Sequence, residues 1–318
     1  MEKGIISIAN QEAQRVLGHH IVGQDWRMAF RQPKAISLLT EKKNASTIVK
    51  GLVRRRDIWR LRHQIIDDAM AVIELTNLTA EADMSRAHTD FVANASHELR
   101  TPLSSIIGYA ETLRDDNETI NAQTSKKFVE TIHKEAQRLK SLVNDLMSLS
   151  RIEANKHDEP SDIIELSKIV QTSALDAAGS ERSSRLNIKV TKNLCIKGDQ
   201  HQIEQLVRNL VDNALKYGSP TKDVLITLSD SDQRFIALRV QDHGTGIPPE
   251  HVPHLTRRFY RTDPARSIAN GGTGLGLAIV KHIVERHRGR LDIQSVLGEG
   301  TTVEVEFPIY IKDATLVS

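Results

Sequence analysis

The pattern of apolar and polar positions divides the chain into three parts. Apolar runs with strand-like alternation occupy residues 46–54, 59–66 and 70–75. From residue 80 to about residue 154, apolar positions recur every three or four residues, which predicts two long amphipathic helices joined near residues 117–121. Strands and helices alternate again from Ile163 onward. The pattern therefore predicts a multidomain α+β protein with a helical hairpin between two mixed α/β parts.

The first part, residues 1–79, predicts a small α/β module. Residues 4–8 are mainly apolar and predict a short buried strand. Asn10 caps a short helix that ends at Gly18, and residues 35–42 predict a second helix. The three strand-like runs then follow as a meander. This order predicts a small module with one sheet.

One helix, predicted over residues 91–113, carries a hydrophobic heptad. Its two apolar rows are Val92, Leu99, Ile106 and Leu113, and Ala95, Pro102 and Tyr109. In this phase His97 and Thr101 lie one turn apart on the outer face, and Glu98 follows the histidine directly. Pro102 removes one helix hydrogen bond, so we expect a bend beside His97. The pattern indicates an exposed imidazole without the partners of a metal site.

The sequence SHELRTPL, residues 96–103, resembles the H box of bacterial two-component sensor histidine kinases. The resemblance implies that His97 is the phosphorylated residue and that Glu98 is its acid/base partner. It implies that Thr101 serves the reverse, phosphatase reaction. It also implies that an ATP site follows later in the chain.

Residues 80–154 resemble, as a whole, the dimerisation and phosphotransfer hairpin of that family. The second helix has apolar positions at Phe128, Ile132, Ala136, Leu139, Val143, Leu146 and Leu149. One partner helix cannot cover both apolar stripes, so we predict a homodimer in which two hairpins form a four-helix bundle. The polar residues 155–162 predict a linker to the last domain, residues 163–311.

The last domain contains a helix with a polar face of unusual composition. Asp199 and Gln202 form a capping-box pattern at its start, and Gly218 ends it. Asn209, Asn213 and Lys216 share one face of this helix, where amide oxygens could coordinate Mg²⁺ and an ammonium could neutralise phosphate. The sequence NLVDNALKY resembles the N box of histidine kinases. The resemblance implies Asn209 and Asn213 for Mg²⁺, and Lys216 and Tyr217 for nucleotide.

Three further motifs follow in the order of the same family. DHGTGIP resembles the G1 box, in which Asp242 would accept the adenine amine and two glycines, Gly244 and Gly246, would let the backbone approach the base. RRFYR resembles the F box, with Phe259 and Arg261, and residues 262–271 predict a mobile lid. GTGLGLAIVKHI resembles the G2 box, whose helix N-terminus suits a triphosphate. The implied nucleotide residues of that box are Thr273, Gly274, Leu275, Gly276 and Leu277.

The order of the four boxes implies the ATP-binding α/β sandwich that histidine kinases share with Hsp90-type and gyrase-type (GHKL) ATPases. It implies autophosphorylation of His97 from Mg-ATP, transfer to an Asp of a response regulator, and phosphatase activity on that regulator. One alternative is a GHKL-type ATPase doing conformational work, which needs no exposed His-Glu-x-x-Thr. The other is a degenerate kinase acting as a dimeric scaffold, which missing box residues would favour.

The N-terminal module carries a second, weaker resemblance. ANQEAQRVLG and VIELTNLT resemble segments of the PAS domains in phosphate-sensing kinases of the PhoR type. The resemblance implies a short PAS-like sensor over residues 1–79 and a PhoB-like response regulator as partner. An unrelated α+β domain used only for packing is the alternative.

Composition narrows the choice of partners and compartment. The formal net charge of the 318 residues is +2, which argues against direct binding of nucleic acid. Cys195 is the single cysteine, so no internal disulfide can form and a reducing cytoplasm is expected. No apolar run approaches the roughly 18–20 residues of a membrane span. We expect a soluble kinase or the cytoplasmic portion of a membrane-bound sensor, ending in a tail at residues 312–318.

Overall fold

The computed structural model describes residues 4–41, 43–67, 70–115, 120–155, 158–231, 234–263 and 272–311. The chain forms two compact units, Met1–Ala95 and Ser96–Ser318. The tail predicted at residues 312–318 lies outside the described residues, as does most of the lid predicted at residues 262–271.

The first unit contains three short helices and one antiparallel sheet. The helices are α1 (Gln11–Leu17), α2 (Trp26–Ala29) and α3 (Pro33–Thr40), and the strands are β1 (Ala45–Lys50), β2 (Ile58–Ile65) and β3 (Ala71–Asn77) in the order β1-β2-β3. Asn10 caps α1 as predicted, because its Oδ1 accepts the N–H of Ala13 at 2.8 Å. Inward side chains of the strands, such as Trp59 and Leu61, are buried with Phe30 of the helical part.

The prediction of a buried strand at residues 4–8 is wrong. Only Ile5 forms an isolated bridge, to Asp25, and the side chain of Ile8 is 86% exposed. The N–H of Ile6 donates to the carbonyl of Gln24 and the N–H of Trp26 donates to that of Gly4, so this segment pairs with the turn before α2. An apolar run forms a strand only where neighbouring strands pair with it and its side chains can pack. Assignment of this unit to the PAS fold stays a prediction.

Two long helices, α4 (Thr79–Asp115) and α5 (Ala122–Ala154), form the predicted hairpin. The start of α5 is capped by Asn121, whose Oδ1 accepts the N–H of Thr124 at 2.8 Å. Pro102 is buried, and α4 continues through it. Tyr109 of α4 packs against Phe128 of α5 with ring centroids 5.1 Å apart. The second apolar row of the heptad therefore faces the partner helix within the hairpin.

Residues 163–308 form a two-layer α/β sandwich. Its strands are β4 (Ile163–Glu165), β5 (Leu186–Val190), β6 (Cys195–Lys197), β7 (Val224–Ser231), β8 (Phe235–Gln241), β9 (Arg290–Val296) and β10 (Gly300–Pro308). The helices are α6 (Leu166–Arg182), α7 (Gln200–Tyr217) and α8 (Gly276–Arg286). The main sheet has the order β5-β7-β8-β10-β9, with β5 and β7 parallel and the other pairs antiparallel. Strands β4 and β6 form a small separate pair.

The core of the sandwich lies between the main sheet and the three helices. Alternate residues of β7 are buried, as a one-sided sheet requires, and α7 and α8 pack side by side against the sheet. The apolar face of α7 predicted from its spacing is fully or almost fully buried; it comprises Ile203, Leu206, Val207, Leu210, Val211 and Ala214. Burial of this face leaves the polar face with the two asparagines at the edge of the layer, where it borders a cavity.

Candidate active site

A cavity of about 910 Å³ lies within the second unit, between α7, the segment after β8 and the start of α8. Its size is that of a site for a small-molecule ligand, roughly 300–1,000 Å³. Eleven of the seventeen residues predicted for catalysis or binding line it: Asn209, Asn213, Lys216, Tyr217, Asp242, Gly246, Arg261, Thr273, Gly274, Gly276 and Leu277. The tertiary structure thus brings the N, G1, F and G2 motifs to one place.

Helix α7 supplies the polar wall of the cavity. Asn209 donates its Nδ2 hydrogen to the carbonyl of Gly276 at 3.3 Å, which ties α7 to the first residue of α8. Asn213 lies one turn further on. The ammonium of Lys216 pairs with Asp212 Oδ2 at 2.6 Å. Amide oxygens and an ammonium on one wall form an environment suited to phosphate and a hard cation.

The segment after β8 adds a carboxylate to the lining of the cavity. Asp242 is 9% exposed, and its Oδ1 accepts the N–H of Gly244 at 2.7 Å. Burial raises the pKa of this carboxyl, and the hydrogen bonds from the backbone of Gly244 and Thr301 oppose that rise. A buried acceptor beside apolar cavity walls suits an exocyclic amine of a planar base.

Two positions of this segment require glycine because another part of the backbone passes close to them. A Cβ on Gly244 would lie 2.2 Å from the carbonyl oxygen of Tyr217. Gly246 has a φ of 68°, and a Cβ there would lie 2.0 Å from the carbonyl oxygen of Val296. Gly244 therefore serves the packing around Asp242 and does not itself line the cavity, whereas Gly246 does both.

The start of α8 forms the third wall. Thr273, Gly274, Gly276 and Leu277 border the cavity there, and the hydroxyl of Thr273 accepts the N–H of Leu275 at 3.3 Å. The Leu275 side chain is fully buried and contributes to the core instead of the cavity. Helix N-termini carry a partial positive charge and N–H groups suited to anions. This wall therefore suits the phosphate end of a nucleotide.

The F-box residues flank this wall. Phe259 has a φ of 62°, an unusual conformation for a residue with a Cβ, and its N–H donates to the carbonyl of Gly274 at 2.8 Å. Its side chain does not line the cavity, whereas Arg261 does. Arg261 donates to the carbonyls of Gly272 and Thr273 at 3.0 and 3.1 Å. The arginine thus braces the loop before α8.

Arg261 also joins the cavity to helix α4, which carries His97. Its Nη2 lies 2.8 Å from Glu98 Oε2, and its Nη1 lies 3.3 Å from Glu98 Oε1. Arg138 of α5 reaches the same carboxylate at 3.2 Å, and both arginine side chains are less than one-tenth exposed. Glu98 is therefore held by two guanidinium groups in this conformation. The predicted role of Glu98 as acid/base partner of His97 requires those contacts to open.

His97 is exposed on α4, as the heptad phase predicts. Thr101, one turn later, is also exposed, and its hydroxyl donates to the backbone carbonyl of His97 at 3.2 Å. Neither side chain lines the cavity. Both side chains are open to solvent.

Helix α5 contributes cavity residues that the sequence motifs did not indicate. Asp145 accepts a hydrogen bond from the Thr273 hydroxyl at 2.7 Å, and Ser141 and Asn144 border the same space. Desolvation raises the pKa of Asp145, opposed by the hydrogen bond from Thr273. An ion pair between Glu153 and Arg258 joins the same helix to the sandwich further along.

Other cavity residues were also missed by the motif reasoning. Asp212 had a usable signal, since it stands four residues before Lys216 on one helix. Tyr260 also had a signal, since it lies within the RRFYR motif, whereas His251, joined to it by a 2.6 Å hydrogen bond, had none, because only the fold brings it to the cavity.

These features define a class of protein: a nucleotide-binding α/β sandwich joined to a helical hairpin that presents an exposed histidine. Residues 198–311 match the family of histidine kinase-, DNA gyrase B- and HSP90-like ATPases. Residues 87–155 match the His Kinase A (phospho-acceptor) domain. The chain belongs to the two-component sensor histidine kinases and resembles the PhoR type within them.

Relatives and solved structures agree with this family. The chain is 38% identical over 241 residues to the phosphate regulon sensor protein PhoR of Pseudomonas aeruginosa, covering 73% of this chain and 54% of PhoR. It is 34% identical to the sensor protein SrrB of Staphylococcus aureus, covering 74% of this chain and 41% of SrrB. The chain thus spans about half the length of the curated relatives it matches.

Two solved structures match about two thirds of this chain. Full-length ShkA, crystallised in complex with AMPPNP, is 26% identical with a TM-score of 0.51, covering 70% of this chain and 46% of ShkA. The histidine kinase AdeS of Acinetobacter baumannii has a TM-score of 0.52 at 22% identity, covering 68% of this chain and 98% of AdeS, and shares the fold. Among the described residues, no helix combines the length and apolar character needed to cross a membrane.

Proposed function

We propose that this chain is the kinase portion of a sensor: it binds Mg-ATP in the cavity, phosphorylates His97 and passes the phosphoryl group to an Asp of a response regulator. The observation that carries this proposal is the pairing, within one compact unit, of an exposed histidine with a cavity lined by the buried carboxylate of Asp242 and by the start of α8. The contact between Glu98 and Arg261 connects the two.

The cavity residues support an assignment of roles toward ATP. Asp242 would accept the adenine amine, with Gly244 and Gly246 keeping the backbone close. The N-terminus of α8, from Thr273 to Leu277, would hold the phosphates together with Lys216 and Arg261. Tyr217 would border the nucleotide beside Lys216. Phe259 and Leu275 would act indirectly, by shaping the backbone before α8.

The residues present fit a magnesium ion. Asn209 and Asn213 offer amide oxygens on one face of α7, and Asn209 uses its Nδ2 toward Gly276. Among the described residues, no group of three acidic, histidine or cysteine side chains could hold a metal ion. Two amides supplemented by phosphate oxygens and water form a donor set that Mg²⁺ accepts. When bound, the ion would neutralise phosphate charge.

The transfer step places specific demands on the hairpin. A nitrogen of the His97 imidazole attacks the γ-phosphorus, the bond to the β-γ bridging oxygen breaks, and ADP leaves with that electron pair. Glu98, once released from Arg261 and Arg138, accepts the proton from the other ring nitrogen. Positioning and charge neutralisation supply most of the rate, because phosphoryl transfer leaves little covalent work for the protein.

The hairpin surface supports a homodimer. Leu103 and Ile107 of α4 are nearly half exposed, and Val129, Val143 and Met147 of α5 are 43–54% exposed. Exposed apolar stripes on both helices suit a second copy of the hairpin in a four-helix bundle. A regulator, PhoB-like by the resemblance to PhoR, would dock where His97 is accessible, and Thr101 would position water for the reverse hydrolysis.

The alternatives are weaker. A conformational GHKL-type ATPase has no use for the phospho-acceptor domain that residues 87–155 match. A degenerate scaffold is disfavoured because eleven predicted residues meet in one cavity. We propose a PAS-like sensor role for residues 1–79 from their strand and helix order, with residues 80–154, 155–162 and 163–311 as hairpin, linker and catalytic domain.

Incubation with γ-labelled ATP tests the proposal. The purified chain should acquire label, and His97→Ala should acquire none. His133→Ala provides a matched control, because His133 is also an exposed histidine on a hairpin helix. Label that persists in His97→Ala would refute the assignment of the acceptor. For Thr101, an unchanged rate of regulator dephosphorylation in Thr101→Ala would refute the phosphatase role.

A further inference from the structure

A side chain from the hairpin occupies the phosphate end of the nucleotide cavity. Asp145 lies on α5, outside the sandwich, yet its carboxylate accepts a 2.7 Å hydrogen bond from the hydroxyl of Thr273. Thr273 stands three residues before α8, on the wall whose N–H groups and partial positive charge suit an anion. The carboxylate therefore lies at the wall that would receive the triphosphate.

Burial raises the pKa of the Asp145 carboxyl, and two groups that we assign to phosphate, Thr273 and Lys216, oppose that rise. The ammonium of Lys216 stabilises the ionised form of Asp145, and Asp212, which pairs with Lys216, opposes it. The Asp145 carboxylate therefore interacts with Thr273 and Lys216, the same two groups that we assign to phosphate binding. No box motif includes Asp145.

We propose that Asp145 is an internal anion that competes with the triphosphate of ATP for the start of α8, so that the Asp145–Thr273 contact and nucleotide binding exclude each other. The inference rests on the proposed function, since it takes the cavity to be an ATP site. A carboxylate and a phosphate cannot share one hydroxyl donor and one patch of positive potential without repulsion. Bound ATP therefore displaces α5 from Thr273.

Displacement of α5 has a consequence for the reacting end of the hairpin. Arg261 donates to the carbonyl of Thr273 and also holds Glu98 of α4, while Thr273 bonds Asp145 of α5, so the two contacts are linked through Thr273. A shift of that loop away from Asp145 also removes the guanidinium from Glu98. Entry of ATP thereby frees the acid/base residue that the transfer to His97 requires, and the empty enzyme keeps it paired.

Binding of AMPPNP with Mg²⁺ to the full chain, measured by calorimetry, tests the inference. Asp145→Asn keeps the size of the side chain and an acceptor for Thr273 but removes the charge. The apparent dissociation constant should fall about tenfold, because a charge-assisted hydrogen bond no longer holds the closed state. Adenosine lacks phosphates, so the difference in its affinity between wild type and Asp145→Asn should be smaller than the difference for AMPPNP.

Glu153→Gln is the matched control. It removes a carboxylate of the same helix that pairs with Arg258 of the sandwich but does not border the cavity. Its affinity for AMPPNP should stay close to that of wild type. Equal gains in both variants, or equal gains for adenosine and AMPPNP, would show general loosening of docking and overturn the inference.

Other outcomes are equally decisive. Unchanged or weaker AMPPNP binding in Asp145→Asn, with wild type binding normally, overturns the inference and leaves the proposed function standing. Absence of binding in wild type and all variants refutes the proposed function itself. Asp145→Ser is the second variant, used if circular dichroism shows that Asp145→Asn does not fold.

Discussion

Replacement of Gly246 by alanine probes the backbone packing beside Asp242. Gly246 has a φ of 68°, and a Cβ built there lies 2.0 Å from the carbonyl oxygen of Val296. The left-handed conformation costs a residue with a Cβ about 1–3 kcal/mol. The overlap forces the β9 end to move, and overpacking of this kind costs about 1–3 kcal/mol more. We expect Gly246→Ala to destabilise the sandwich by about 2–6 kcal/mol.

Gly298→Ala separates the two contributions. Gly298 also has a positive φ, 84°, but no heavy atom lies within 4 Å of its built Cβ. Its N–H donates to the carbonyl of Thr245 at 2.8 Å, a bond that alanine keeps. Gly298→Ala should therefore lose only the conformational part, about 1–3 kcal/mol. The difference between the variants measures the steric overlap alone.

Urea unfolding provides the assay. Far-UV circular dichroism follows both units, whereas tryptophan fluorescence follows the first, because the two tryptophans of the chain, Trp26 and Trp59, both lie there. In Gly246→Ala the circular dichroism transition should shift to lower urea while the fluorescence transition stays in place. Equal stability of Gly246→Ala and Gly298→Ala would refute the close approach to Val296.

The remaining predictions concern the adenine end, the fold's response to pH, and the core. Asp242→Asn should weaken AMPPNP binding at least about tenfold, because a lost charged acceptor costs over 1.4 kcal/mol; calorimetry showing wild-type affinity would contradict the adenine role. Burial lowers the pKa of His287 below its ordinary 6.5. The unfolded chain therefore binds the proton at a higher pH than the folded chain does, and the free energy of unfolding should fall as pH drops below about 7. His287→Gln should reduce this fall. Urea titrations from pH 5 to 8 measure it, and an equal fall in wild type and His287→Gln would contradict the prediction. Leu206→Ala, at a fully buried position of α7, should cost about 2–5 kcal/mol, and a loss under 1 kcal/mol in the same titration would argue against that packing.

Local pattern was sufficient for most elements and for the faces of the helices. Asn10 and Asp199 cap helices where the sequence predicted, and α7 ends at Gly218. The heptad phase put His97 on the exposed side of α4. These features depend on residues within one or two turns of each other, so the one-dimensional pattern contains the information that determines them.

The family motifs predicted most of the residues that line the cavity, but they did not distinguish residues that line it from residues that only support its walls. Leu275 belongs to the G2 motif, yet its side chain is fully buried in the core, and Gly244 serves an approach of the Tyr217 carbonyl. Residues 4–8 show the same limit at the level of an element, since an apolar run became a strand-like bridge only. In each case the neighbour that decides the outcome is distant in sequence.

The pairings between hairpin and sandwich were decided by tertiary structure alone. Glu98 meets Arg261 across 163 residues, and Asp145 meets Thr273 across 128. Each partner, considered in its own segment, is an ordinary charged or polar residue on a helix or loop. Periodicity determined which face of α4 and α5 each side chain occupies, because that depends on helix geometry. Which surface then packs against that face depends on the shapes of two separately folded elements, and no local pattern encodes it.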